Sequence, residues 1–166
     1  MADRIYALLV WLEASALGEA VRGAGVWAYG WLNLAHILGI AMLFGAVLLL
    51  DLRLLGAWRS IPLPLIARPT VPLAAVGFVI AVASGSTMLT VNATGYEGNP
   101  FLYAKLPLIG VGLVNVAIVQ RLGAWRWALA GHAPRPGDGA VLAGAGATSL
   151  AIWLAVVSCG RMIGYW

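Results

Sequence analysis

Charge is what this sequence has least of. Ten basic and six acidic side chains in 166 residues make it 10% charged and leave it 62% hydrophobic, whereas a water-soluble domain is about 25% charged. Most of its surface therefore faces something other than water. Cysteine is nearly absent, and the single thiol, Cys159, excludes an internal disulfide and any cysteine-rich metal or iron–sulfur centre. Histidine occurs only at His36 and His132. The net charge of +4 comes from basic residues scattered between apolar runs, so there is no basic face for nucleic acid. A phosphate-binding glycine loop, a nucleophile–histidine–acid set and a zinc-protease motif are all missing, and no catalytic residue is assigned.

What the sequence does contain is four long apolar runs, at about 26–50, 71–91, 101–119 and 140–160. Each is close to the roughly 20 residues a helix needs to cross a bilayer. The predicted fold is an all-α integral membrane four-helix bundle, read as a single membrane domain over residues 1–166. An additional amphipathic helix is predicted over 3–22. There Ile5, Leu8, Leu9, Leu12 and Ala16 gather opposite Ser15, Glu19 and Arg22, and the apolar stretch 5–12 is too short to span. That pattern suits a helix lying in the interface. Glu13 and Glu19 follow the stretch and no small-residue cleavage site does, so the segment is expected to be retained.

Trp27, Tyr29 and Trp31 open the first span and Tyr165 and Trp166 follow the last, as interface anchors. Pro62, Pro64 and Pro69 are expected to keep the linker 51–70 from being helical, and 120–139 reads as a polar loop. These two linkers carry six of the ten basic residues, and the turn 92–100 carries none. The positive-inside rule puts both linkers in the cytoplasm and both termini in the periplasm of a bacterial inner membrane. Gly77, Ala81, Ser84 and Gly85 in the second span, and Gly144, Ala147 and Thr148 in the fourth, supply small faces for helix packing.

An ionisable group inside a span costs on the order of 3 kcal/mol, so His36 and Lys105 are candidate sites. His36 falls near the middle of the first span, with Asn33 one turn before it on the same face. One reading makes it a haem iron ligand, or a proton- or quinone-binding group, oriented by Asn33. The other makes it a neutral histidine bonded to a serine, threonine or carbonyl of a neighbouring helix. His132 lies in a cytoplasmic loop and cannot reach the plane of His36, which disfavours a bis-histidine haem. A five-coordinate haem b, a pair with a span methionine such as Met88, or a ligand from a partner remain open, and copper lacks the histidine–methionine spacing it needs.

Lys105 either snorkels to the outer surface or heads a polar stripe with Gly112 and Asn115. With Arg161 and the Glu13/Glu19 helix it would surround an outward-facing pocket for an anionic head group or carboxylate, floored by His36. Asp51 and Arg53 read as an interface stop signal, with ionic contact toward Arg121.

The runs LEASALGEAVR, WLNLAHILGIAMLFGAVLLLDLRLLG, PLAAVGFVIAVASG and NPFLYAKLPLIGVGLVNV, with Asn33, His36, Asp51, Arg53, Asn99, Pro100, Lys105 and Asn115 among them, resemble the uncharacterised bacterial membrane family DUF6644 over about residues 11–116. That resemblance implies a small membrane protein and no particular activity. A span histidine with a lysine and asparagine in span three is more loosely similar to four-helix copper-resistance proteins and to the haem-binding membrane protoporphyrinogen oxidase, without their further histidines. The leading expectation is a small membrane subunit binding haem b, a quinone or another lipid-like ligand in its outer half through His36, Asn33, Lys105, Asn115 and Arg161, in a redox or metal-handling system. The alternative is a structural or assembly subunit with no cofactor of its own. Expected partners are membrane lipids and either other membrane or periplasmic subunits or further copies of the chain.

Overall fold

A computed structural model of the chain describes residues 2–166. Among them the protein is all-α, with seven α-helices, two short 3₁₀ turns and no strand. Four helices are long and apolar enough to cross a membrane: α3 (Gly25–Leu54), α4 (Leu63–Val91), α5 (Pro100–Arg121) and α7 (Asp138–Met162). The short helices are α1 (Ala2–Glu13), α2 (Ala16–Gly23) and α6 (Gly123–Leu129), and the 3₁₀ turns cover Thr94–Tyr96 and Ile163–Tyr165. The four long helices contain the four predicted spans.

Three stretches differ from expectation, each for a local reason. The segment 3–22 is two helices, not one. Ser15 takes an extended conformation (φ −68°, ψ 149°) and its hydroxyl accepts the Gly18 N–H at 3.2 Å, so the chain restarts there with an N-cap. Helix α4 begins at Leu63 and runs through Pro69 and Pro72. Pro64 stands in the first turn, where a missing N–H costs nothing, and the Thr70 hydroxyl donates to the Ile66 carbonyl at 2.7 Å within the proline-containing turns. The loop 120–139 contains α6, whose Trp125 is only 5% exposed.

The chain divides into two compact units, one of residues up to 42 with 76–99, the other of 43–75 with 100–166. In the first, Gly39 brings α3 against α4. A Cβ at Gly39 would stand 2.8 Å from the Ala81 nitrogen and 3.0 Å from the Gly77 oxygen, so only glycine permits this approach. Of the expected small face, Gly77, Ala81 and Ser84 are buried there and Gly85 is half-buried. Gly18 seats α2 beside the end of α4, with its Cβ position 2.6 Å from the Thr90 oxygen. Arg22 donates to the Thr90 and Val91 carbonyls at 3.1 and 3.2 Å and to the Glu13 carbonyl at 2.8 Å. The guanidinium thus satisfies carbonyls that the last turn of α4 leaves without a helical partner.

In the second unit α5 packs along α7. The inward face of α7 is Leu142, Gly146, Ser149, Trp153 and Val156, a spacing of four and three. Gly144, Ala147 and Thr148, expected as the packing face, are exposed. Around α7 every face is apolar or small, so hydrophobicity alone does not choose the inward one. It is Trp153, packed over Gly112, and Gly146, packed over Leu54 and Asp51, that fix the orientation. Leu54, Leu63, Ala67, Trp125 and Leu142 close a core where the two linkers meet. Helix α3 stops there in a Schellman turn: Gly56 takes φ +108°, Gly56 N donates to Arg53 O at 3.2 Å and Ala57 N to Leu52 O at 2.9 Å. Helix α6 stops the same way at Gly131, φ +81°.

Candidate functional site

His36 is half-buried on α3 in the first unit. Its Nδ1 lies 3.0 Å from Ser84 Oγ, and that hydroxyl donates to the Ile80 carbonyl at 2.6 Å. The ring and the hydroxyl are thus within hydrogen-bond distance, and the direction of that bond depends on the imidazole tautomer. The next residue, Gly85, lies beneath the ring, where a Cβ would come within 2.7 Å of Cε1. Asn33 is half-buried one turn earlier on the same helix.

Lys105 is half-buried in the second unit, with Nζ 3.0 Å from where a Cβ on Gly160 would stand and Cys159 beside it. Gly112, in the same stripe, lies against Trp153, which a Cβ there would approach to 3.2 Å, and Asn115 is half-buried. Arg161 is exposed. Its guanidinium bonds the Tyr165 hydroxyl and sits 4.5 Å from the centre of that ring. Glu13 belongs to the first unit, where its Oε2 accepts the Thr94 N–H at 2.8 Å and the Thr94 hydroxyl at 2.7 Å. These bonds, with Arg22 nearby, hold its carboxyl below the ordinary value of 4.5. Glu19 is exposed. The candidates therefore fall into two sets, Asn33 and His36 in one unit and Lys105, Asn115 and Arg161 in the other.

Two features of the second unit went unread as sites in the sequence. Asp51 is 3% exposed and hydrogen-bonded with the Ser149 hydroxyl of α7, while its Oδ2 has no partner. It is not an exposed stop signal reaching Arg121, which is itself exposed. The Gly146 contact draws α7 so close that the Asp51 side chain is enclosed between helices. The signal was present: Asp51 is flanked by leucines on both sides, at the end of an apolar run. Beyond it lies a cavity of about 490 Å³, lined by Arg53, Arg59, Leu54, Leu63, Trp127 and Leu142 among others, with Asp138 at its rim. Arg53 is pinned by a bond from Nε to the Ile61 carbonyl at 3.0 Å. His132 is exposed and stacks on Trp127 at 4.0 Å between ring centres, so it has a partner of its own outside the long helices. Among the described residues no three His, Cys, Asp or Glu side chains converge on a point that would hold a metal ion.

No curated protein and no solved structure matches the chain, so the looser likeness to copper-resistance and haem proteins has no counterpart there. A family model described as a family of unknown function, DUF6644, matches residues 8–166, through the last span and well beyond the stretch in which the resemblance was visible. The chain belongs to that family.

Proposed function

We propose that the chain is a non-catalytic subunit of a bacterial inner-membrane assembly, joined to its neighbour through the open face of α7, with the termini outside and the basic linkers in the cytoplasm. The observation that carries this reading is the exposure of Gly144, Ala147, Thr148 and Ala151 on one side of α7, opposite its packed face. In lipid, helices associate by close backbone approach, and small residues at this spacing permit it. The contact of His36 with Ser84 within the chain supports the same reading, since it gives that polar group a structural partner. In this view the helix pair α1–α2 lies at the outer interface, held by Glu13 and Arg22.

Extraction in a mild detergent followed by light scattering tests it. The wild type is expected to exceed the 17.4 kDa of one chain, and Gly144→Leu with Ala147→Leu, which fill an open face, to shift it toward that mass. A wild type already at one-chain mass, or a substituted protein of unchanged mass, overturns the reading.

One observation favours a second reading, haem or quinone binding at His36. The contact between Nδ1 and Ser84 orients the ring, as a partner on the other ring nitrogen orients metal-bound histidines. A Soret band in protein from native membranes, lost in His36→Gln, supports the haem form, and absence of the band in the wild type eliminates it.

A further inference from the structure

The second unit has a surplus of positive charge at the junction of its two linkers. Segments 51–70 and 120–139 carry Arg53, Arg59, Arg68, Arg121, Arg126 and Arg135 against only Asp51 and Asp138. Two of these arginines line the same cavity, and the fold puts them there by specific means. The Schellman turn that ends α3 requires the left-handed φ of Gly56. Its missing side chain makes room for Arg59, whose Nη2 and Nε come within 2.7 and 2.8 Å of the Cβ position. Trp58, at φ +48°, turns the chain so that Arg59 folds back over the helix end. Positive φ in a bulky residue is strained backbone, held only where its surroundings determine it. Arg53, one turn earlier, is fixed through its Nε, with its terminal N–H donors uncommitted among the described residues. No ion pair with a carboxylate neutralises either guanidinium among the described residues. Asp138, the carboxylate on the wall, turns Oδ2 to the Arg135 N–H at 3.3 Å.

The rest of the lining is apolar. Leu54, Leu63 and Leu142 come from the ends of three membrane-crossing helices, and Trp127 from α6. A cavity of about 490 Å³ whose lining is apolar apart from Arg53, Arg59 and Asp138 matches a molecule that is anionic at one end and greasy at the other. Arginine is the side chain suited to paired hydrogen bonds with phosphate oxygens. Its place at the ends of the spans is where lipid head groups lie.

We infer that this cavity is a binding site for the phosphodiester head group of an anionic phospholipid, with Arg53 and Arg59 on the phosphate and the leucines and Trp127 against the glycerol and upper acyl carbons. The site is independent of the assembly reading, since it needs neither the open face of α7 nor a partner chain.

Native mass spectrometry of the full chain in an uncharged detergent tests it, with phosphatidylglycerol and phosphatidylcholine of identical acyl chains titrated as probes. Phosphatidylglycerol is expected to bind in preference, and Arg59→Gln to weaken it about fivefold. Because Arg53 also holds the linker, Arg53→Gln is read only beside a circular dichroism spectrum matching the wild type, and Arg59→Gln carries the test where it does not. Arg68→Gln removes an exposed arginine of the same linker that does not line the cavity, and it is expected to leave binding unchanged. Equal binding of the two lipids, or a loss in Arg68→Gln as large as in Arg59→Gln, overturns the proposal, the latter by showing diffuse attraction. An excess of inorganic phosphate should fail to displace phosphatidylglycerol. Displacement would show a site for free anions and overturn the lipid assignment.

Discussion

The two units use polar side chains in opposite ways. In the first, His36 is bonded to Ser84, Glu13 to Thr94 and Arg22 to three carbonyls, so each of these groups is matched within the chain. In the second, Asp51 has an enclosed carboxylate oxygen without a partner, and Arg53 and Arg59 face a cavity. Polarity that is matched locally fixes helices, because an unmade hydrogen bond in lipid costs several kcal/mol, on the order of 3 or more. Polarity left unmatched awaits something else. By sequence the outer half near His36 was the place to look for a ligand. By geometry it is the linker end of the second unit.

The largest effects should come from breaking the close approaches that hold each unit. Gly39→Ala would drive a methyl group into the Ala81 nitrogen and Gly77 oxygen, backbone atoms that cannot swing aside. A loss of about 1–3 kcal/mol is expected in reversible detergent unfolding followed by circular dichroism. Gly146→Ala should cost a similar amount in the second unit, where the methyl would meet Leu54 Cβ and the Asp51 oxygen. Gly110→Ala, with nothing within 4 Å, should be neutral or stabilising by up to about 1 kcal/mol through helix propensity. If Gly39→Ala proves as harmless as Gly110→Ala, α3 and α4 do not pack as described.

Next in size is the unmatched carboxyl itself. Ser149→Ala would strip Asp51 of its hydroxyl neighbour and should cost about 1–3 kcal/mol, the penalty of an unsatisfied buried group. Adding Asp51→Leu, similar in shape and without the polar oxygens, should recover most of that loss. Additive costs in the double variant would mean that the two side chains do not interact. In the first unit Ser84→Ala and His36→Leu should each cost about 1 kcal/mol, and together less than the sum of the two, because the hydrogen bond between them is lost in both.

How much of this was legible beforehand follows the same division. Spans announce themselves by length and apolarity, and small residues on α4 marked its buried face because the large residues lie elsewhere around that helix. On α7 small residues occur on both sides, and the inward side was set by Trp153 meeting Gly112, a pairing between helices that no single-helix pattern contains. Prolines misled at the start of α4 because Pro64 falls in its first turn, where a missing N–H costs nothing, and the helix runs on through Pro69 and Pro72. His36 was visible as a rare residue, but its partner Ser84 lies 48 positions away. Arg53 and Arg59 were counted only as topology markers, since nothing in their spacing reveals that Gly56 folds one of them back over the helix end.

The smallest effect tests whether the matched polarity of the first unit extends to its surface. Glu13 accepts both the N–H and the hydroxyl of Thr94, and these bonds, which favour the charged form, lower its pKa from the ordinary 4.5. A group whose folded pKa is depressed contributes its full stabilisation above the unfolded value and loses it as pH falls through the folded one. The attachment of α1 to the 3₁₀ turn Thr94–Tyr96 should therefore be constant above pH 4.5 and weaken progressively below it. Hydrogen exchange of the amides of α1 and of Thr94, measured against pH after correction for intrinsic rates, reads this directly. In Glu13→Gln the amide oxygen still accepts but carries no charge, so protection should be lower at neutral pH and flat below 4.5. Protection that falls with acid equally in both proteins would place the titrating group elsewhere. Protection that is flat in the wild type would mean that Arg22, through its bond to the Glu13 carbonyl, holds the segment alone.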